Sequence, residues 1–403
     1  MKIGLLTTYF ALAEDDDSGI GRHYRVLADT LAANGHCVHV VYPTIDPGRA
    51  HAALGARKPA WTCDIVPGRP PHWLTRALRR SWPSQVLLTQ LWMARAADRA
   101  LAHACRERGL QMIETHAYEA PALFFLRRRR RPKVLTRVST TMGQMMAISA
   151  LHSRVWGWQA AIERAVTRRS DALVTHSAQH RDALCALEGH AADRFAIVPH
   201  GLPDPGEPPA DSGAAGAVEF LFVGRFESRK GIDVLLAAIP EIVRDFPQVT
   251  FTLAGSRGDG VAWREFGRRH PELVGTRVVS LGRVLSTTLA ALYRRCQVLV
   301  APSRYESFGL IYLEGMSHAK PVIGCRAGGV PEVIRDGVTG LMAEPGDAPS
   351  LTACMRLLAS DAALRHRMGE AGRLDFRSRF SARQLADASV ALYQQILSGS
   401  SGN

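Results

Sequence analysis

The amino-acid sequence predicts an α/β protein built of two domains, and three observations carry that expectation. Its 403 residues exceed what one hydrophobic core usually serves and fit about two domains. Both halves alternate short apolar runs of strand length with longer helical patterns, as parallel sheets covered by helices require. Between the halves, Pro203, Pro205, Pro208 and Pro209 mix with Gly and Ala through Ala217 and read as a linker, dividing the chain into 1–202 and 217–381.

Met1 to Thr8 reads as the first strand, followed by Ser18-Gly19-Ile20-Gly21 and a helix that ends at Asn34-Gly35-His36. Val38 to Tyr42 is the next strand, and Val134 to Val138 a later one. In the second half, Glu219 to Val223 has the continuous apolar character of a buried parallel strand. Gly224 to Gly231 forms the loop after it, and a helical pattern runs from Ile232 to Arg244. Val298 to Ser303 ends a further strand, Glu306 lies in the loop behind it, and Phe308-Gly309-Leu310 opens a helix carrying Glu314 about two turns in. A last helix spans 382–397.

Two of these stretches place charge where open α/β sheets bind ligands, in loops at the carboxyl ends of strands. Arg225 and Lys230, set between Gly224 and Gly231, are two fixed cations that can hold a departing diphosphate. The helix start at Ser307, Phe308, Gly309 and Leu310 presents amides that favour an anion. Glu314, about 6–8 Å along the helix axis, suits the vicinal hydroxyls of a ribose, while Glu306 suits those of a transferred sugar. Singly, the cations also read as a solvated turn and each Glu as a surface or capping acid. Together they describe a metal-free grip on a nucleotide diphosphate sugar.

This constellation resembles the retaining glycosyltransferases of the GT-B fold, family four, over nearly the whole chain. Ile113-Glu114-Thr115-His116 matches the strand end where that family carries a His beside the sugar. Val198-Pro199-His200-Gly201 resembles its Pro-Asn-Gly at the interdomain crossing, with His in place of Asn. Leu253-Ala254-Gly255 and Leu281-Gly282-Arg283-Val284 match strand ends of its second domain.

The resemblance implies two Rossmann-like domains with a cleft between them, the last helix crossing back onto the first. It implies transfer with retention of configuration, no metal and no cofactor beyond the donor. His116, Arg225, Lys230 and Glu306 are then the catalytic group. Gly19, Gly21, Gly224, Arg283, Val284, Ser307, Phe308, Gly309, Leu310 and Glu314 hold the donor, with Arg283 and Val284 beside the base. Arg22 and Ser139-Thr140-Thr141 face the acceptor. Family frequency favours a UDP-sugar first and GDP-mannose second; the acceptor is not specified. A phosphorylase or nucleotide-sugar epimerase of the same fold is the enzymatic alternative, although no pyridoxal phosphate lysine motif is visible.

Net charge is +13, and two regions concentrate it. Arg127 to Arg131 with Lys133 reads as a solvated loop. From His72 to Trp82, Trp73, Leu74, Ala77 and Leu78 share a helical face ringed by Arg76, Arg79 and Arg80, with Pro83 as the stop. That helix either lies on an anionic membrane surface or packs on the core. A basic polyanion binder is the non-enzymatic alternative, but no nucleic-acid signature accompanies the charge. Asp15-Asp16-Asp17 contains a DxD and reads as a solvated loop rather than a metal site. Gly19 and Gly21 lack the third Gly of a dinucleotide fingerprint. Seven cysteines without metal spacing read as reduced, mostly buried thiols of a cytoplasmic protein. The apolar run after Lys2 imitates a signal peptide, but it supplies the first strand.

Overall fold

The computed structural model describes residues 1–12, 18–56, 58–71, 73, 76, 82–149, 153–207, 217–258 and 260–399. The chain divides into two compact units, Met1–His200 with Ala382–Asn403, and Gly201–Ser381.

The first unit carries seven strands: β1 (Lys2–Leu6), β2 (Cys37–Thr44), β3 (Thr62–Pro67), β4 (Met112–His116), β5 (Lys133–Arg137), β6 (Ala172–Thr175) and β7 (Phe195–Ile197). They form one parallel sheet in the order β3-β2-β1-β4-β5-β6-β7. Side chains alternate between its two faces. Ile3 and Leu5 of β1 join Tyr24, Leu27 and Leu31 of the helix Gly19–Ala33 in one core. Leu6 and Ile113 join Ala97 and Leu101 of the helix Trp82–Arg108 in the other. Leu385, Ala386 and Tyr393 bring the helix Ala382–Ser398 into the first of these layers.

In the second unit, β8 (Val218–Val223), β9 (Val249–Ala254), β10 (Val278–Gly282), β11 (Val298–Val300), β12 (Val322–Cys325) and β13 (Gly340–Ala343) form a parallel sheet, ordered β10-β9-β8-β11-β12-β13. Phe220 and Phe222 pack with Leu235 and Ile239 on one face, and Leu221 with Tyr312 and Leu313 on the other. Strand order reverses between β1 and β4 in the first sheet and between β8 and β11 in the second. Ligands of open α/β sheets bind outside the strand ends at such switch points.

Three expectations change here. The segment that reads as a linker starts as part of the second unit: Leu202 N–H donates to Phe380 O at 2.9 Å, and Asp204 accepts from Arg373 and Arg377. Pro83, expected as a stop, lies in the first turn of the helix Trp82–Arg108. A first-turn proline lacks only an N–H that has no intrahelical acceptor. The seven thiols are free, but only Cys296 and Cys325 are buried, while Cys37 is exposed and the rest are half-buried. Most of 72–81, together with Asp15–Asp17, lies outside the described residues. Among the described residues no helix is long and apolar enough to cross a membrane.

Candidate functional site

In the second unit the switch point is framed by backbone. Gly224 N–H donates to Ala254 O at 2.9 Å and Gly255 N–H to Gly282 O at 2.7 Å, which lines up the ends of β8, β9 and β10. Arg283 follows that row and is exposed, with Val284 half-buried behind it. After Gly224 a 3-10 turn, Ser228–Lys230, carries the chain to Gly231, whose φ is 68°. A Cβ there would stand 1.9 Å from Pro302 O. Gly231 therefore permits the close approach that brings the loop after β8 to the loop after β11.

That approach pairs the predicted residues. Lys230 Nζ donates to Glu306 Oε1 at 2.5 Å, and Ser303 Oγ donates to the same oxygen at 2.9 Å. Arg229 Nη1 lies 3.9 Å from the other oxygen, Oε2. Gly329 N–H donates to Glu306 O at 2.9 Å, and a Cβ on Gly328, φ 56°, would stand 2.1 Å from that oxygen. Glu306 is thus held by side chain and backbone together. Arg225 is exposed and rests on Glu227 at 3.2 Å, beside Arg229 on the same carboxylate.

The helix behind this loop is Leu310–Ser317, because Gly309 takes a left-handed φ of 94° as its N-cap. Glu314 is accordingly little more than one turn in, not two. Its carboxylate accepts from Tyr293 Oη, whose ring stacks on His318 at 5.3 Å. Ser307 is half-buried at the loop's end. Phe308 does not offer its side chain to a donor: the ring packs edge-on against Phe380 in the core, which leaves only its backbone at the site.

In the first unit, the switch point lies at Thr8 and His116. His116 is 1 % exposed, and both ring nitrogens are used. Nε2 accepts from Thr8 N–H at 3.1 Å, so Nδ1 carries the proton and donates to Tyr118 O at 2.7 Å. Burial pushes its pKa down to about 4. In this arrangement His116 is a neutral ring that positions the loop after β1.

Gly19 and Gly21 lie inside the first turn of the helix Gly19–Ala33, not in a loop; Ser18 caps it by accepting from Gly21 N–H. A Cβ on Gly21 would stand 3.2 Å from Ala11 N, so the glycine lets that loop lie close. Arg22 follows in the same turn, half-buried, as are Ser139 and Thr140 after β5. Thr141 is 1 % exposed, and its hydroxyl donates to Glu188 Oε1 at 2.6 Å. It also caps the helix Met142–Ser149 through Gln144, so its hydroxyl is bonded within the unit.

Sequence reasoning missed Glu119. Its φ of 59°, followed by 51° at Ala120, is uncommon for residues with a Cβ. The carboxylate accepts from Thr8 Oγ1 at 3.0 Å and Tyr9 Oη at 2.6 Å, tying the loop after β1 to the loop after β4. Glu163 holds the same region through the N–H groups of Glu119 and Met142, and burial pushes its pKa up to about 8. Among the described residues no cluster of three or more His, Cys, Asp or Glu could hold a metal.

With the fold and the geometry of the two switch points described, comparison with known proteins assigns the family. The model for Glycosyltransferase Family 4 matches residues 18–204, and that for Glycosyl transferases group 1 matches residues 217–361. Glycogen synthase of Mycobacterium tuberculosis is 30% identical over 399 residues, covering 93% of this chain and 90% of that protein. D-inositol 3-phosphate glycosyltransferase of Xylanimonas cellulosilytica is 31% identical over 248 residues, 58% of this chain and 59% of that one. Sucrose-phosphate synthase from Thermosynechococcus elongatus has the same fold, with a TM-score of 0.77 at 22% identity over 99% of this chain and 100% of that one. Anabaena HepE in complex with UDP-glucose gives 0.70 at 16% identity over 98% and 100%. The chain belongs to glycosyltransferase family 4 and has the GT-B fold.

Proposed function

We propose that this glycosyltransferase is a retaining, metal-independent hexosyltransferase. It moves a hexose or N-acetylhexosamine from a nucleotide diphosphate sugar, UDP-sugar before GDP-mannose, to an acceptor hydroxyl. The observation that carries the reading is Lys230 held on Glu306 at 2.5 Å beside exposed Arg225, at the switch point of the second sheet. A donor diphosphate would take Lys230 from Glu306 and draw Arg225 from Glu227. Glu306 would then be released to accept from sugar hydroxyls, while Ser303 keeps it aimed.

As the glycosidic bond stretches, the diphosphate gains charge that the two cations and the helix start at Gly309 stabilise. The acceptor hydroxyl attacks from the face of the departing phosphate, which takes its proton. That HepE was solved with UDP-glucose supports a UDP-sugar as first choice.

A thermal-shift panel of UDP-, GDP- and ADP-sugars tests the donor, since a ligand at 100 times its Kd stabilises by about 2.7 kcal/mol. Turnover of the stabilising donor should continue in EDTA and give a product of unchanged anomeric configuration by NMR. Activity lost on chelation and restored by manganese would overturn metal independence and direct attention to Asp15–Asp17. An inverted product would overturn retention.

A further inference from the structure

Helices of the first unit run back against its parallel strands, so the residues just before β4, β5 and β6 gather at the amino end of the sheet. Three such segments are tied together there by ion pairs. Arg128 Nε donates to Asp98 Oδ1 at 2.6 Å, joining the loop before β5 to the helix Trp82–Arg108. Arg131 donates to Asp171 Oδ2, and Lys133 Nζ lies 3.4 Å from Oδ1, joining that loop to the segment between the helix Arg154–Arg169 and β6. These bonds occupy Asp98 and Asp171.

A surplus of cations remains around them. Arg127, Arg129, Arg130, Arg168 and Arg169 are exposed and Arg164 half-buried, and none has a carboxylate partner among the described residues. Arg106 and Arg108, in the last turn of the neighbouring helix, add to them. Opposing exposed acids here are Glu107 and Asp193. Glu188 is turned inward, accepting from Thr141 and standing 3.4 Å from His190. Arg164, Arg168 and Arg169 also line an open groove of about 520 Å³, together with Ala161, Ala165, Leu187 and Glu188. One or two cations suffice to complement a helix carboxyl end. The rest need another explanation.

We propose that this end of the first unit is an electrostatic docking face for an anionic phospholipid bilayer. Guanidinium groups match phosphate in a forked geometry, and the groove admits a headgroup between its arginines. Single-stranded nucleic acid fits less well, because it draws on exposed aromatic platforms. The exposed Trp92 and Trp158 lie in the first halves of their helices, away from this end. Docking here leaves the strand carboxyl ends of the first unit, with Thr8 and His116, directed away from the bilayer. The inference is independent of the donor and of the stereochemistry of transfer.

Co-sedimentation of the full chain with vesicles of phosphatidylcholine alone, or with phosphatidylglycerol added, tests it at low and physiological salt. Binding should require phosphatidylglycerol and fall with salt. Each basic residue near such a surface is worth about a fivefold change in partitioning. Arg127→Glu/Arg129→Glu/Arg130→Glu and Arg168→Glu/Arg169→Glu should therefore each lower binding at least tenfold, with unchanged melting and nucleotide binding. Arg128 and Arg131 are spared because they hold the fold. Trp73→Ala/Arg76→Glu should leave binding intact. Wild-type protein that ignores anionic vesicles at low salt, charge reversals that bind like wild type, or tighter binding to an RNA homopolymer than to vesicles would each overturn the proposal.

Discussion

At the carboxyl ends of β4 to β7 the first unit sets its ionisable groups against one another in the interior, whereas the second keeps those of β8 and β11 at the edge of solvent. Glu114 and Arg137 side chains are 0% and 3% exposed and bonded at 2.8 Å; those of Lys230 and Arg225 are 22% and 64% exposed. Glu114 also accepts from Tyr393 Oη at 2.5 Å and faces His23 Nε2 at 3.7 Å. From His23 a chain of imidazoles continues: a 3.1 Å contact to His200, a stack from His200 to His176 at 4.9 Å, and another to His180 at 4.4 Å. A buried charge that leaves its partner has no water to take that partner's place. A half-exposed one does. The first network fixes shape, and the second keeps its ion pairs within reach of water.

Acid should separate the two most strongly. Burial pushes His23, His116 and His180 down to about 4 and His200 lower than usual. Each is neutral in the folded unit while its unfolded counterpart protonates near 6.5, so their stabilisation is complete above about 6.5 and lost as pH falls toward 4. Glu163, raised to about 8, acts oppositely: it favours the fold at low pH and loses that contribution as pH rises through 8. Four lowered histidines outweigh the two carboxyls that burial raises, Glu163 and Glu119, between pH 4 and 6.5. Hydrogen exchange across that window should show β4 to β7 losing protection while β8 to β13 retain it. Loss in β8 to β13 first, or in both together, would break the comparison.

Removing one member of the buried network is the next largest effect. Glu114→Gln leaves Arg137 buried without its countercharge and should cost about 3–5 kcal/mol in denaturant unfolding of the first unit. Nucleotide binding, which the second unit should carry alone, is expected to survive. A loss under 1 kcal/mol would mean that Arg137 finds another partner; its other bond is to Val198 O at 3.2 Å.

The same contrast explains what could be foreseen. Arg225 and Lys230 lie in one short window and Glu306 and Glu314 in another, so the local loop-and-helix pattern of each is legible in the sequence. The pairing of Lys230 with Glu306 follows from where βα loops end. His23, His176, His180 and His200 come from four separate segments, and only the sheet order places them in one chain of ring contacts. Glu119 is invisible for a different reason, because its positive φ depends on tertiary bonds to Thr8 and Tyr9. The cap made by Thr141 is not legible because a hydroxyl after a strand reads the same whether it faces a ligand or caps the next helix.

Lys230→Ala sharpens the comparison from the other side. The pair it breaks is partly exposed, so unfolding should change by about 1 kcal/mol or less. Turnover should fall roughly 100- to 1,000-fold, because a cation that stabilises the departing diphosphate is lost. Arg225→Ala should behave alike. A stability loss rivalling that of Glu114→Gln, with turnover intact, would make Lys230 a structural residue and remove the distinction between the two units.

The smallest effects test whether the second unit divides its two carboxylates between ribose and sugar. Glu314→Ala should weaken free nucleotide diphosphate by about 1.5–3 kcal/mol in calorimetry, the cost of losing charged hydrogen bonds. Glu306→Ala should act mainly on the intact nucleotide sugar. Tyr293→Phe keeps the stack on His318 but removes the hydroxyl that orients Glu314. It should cost about 0.5–1.5 kcal/mol in nucleotide affinity, because the carboxylate survives without its guide. Equal losses from Glu314→Ala and Tyr293→Phe would mean that the tyrosine hydroxyl, not the carboxylate, meets the ligand. Equal losses from Glu306→Ala and Glu314→Ala on plain nucleotide would dissolve the division itself, leaving a single acidic patch where two assigned carboxylates are proposed.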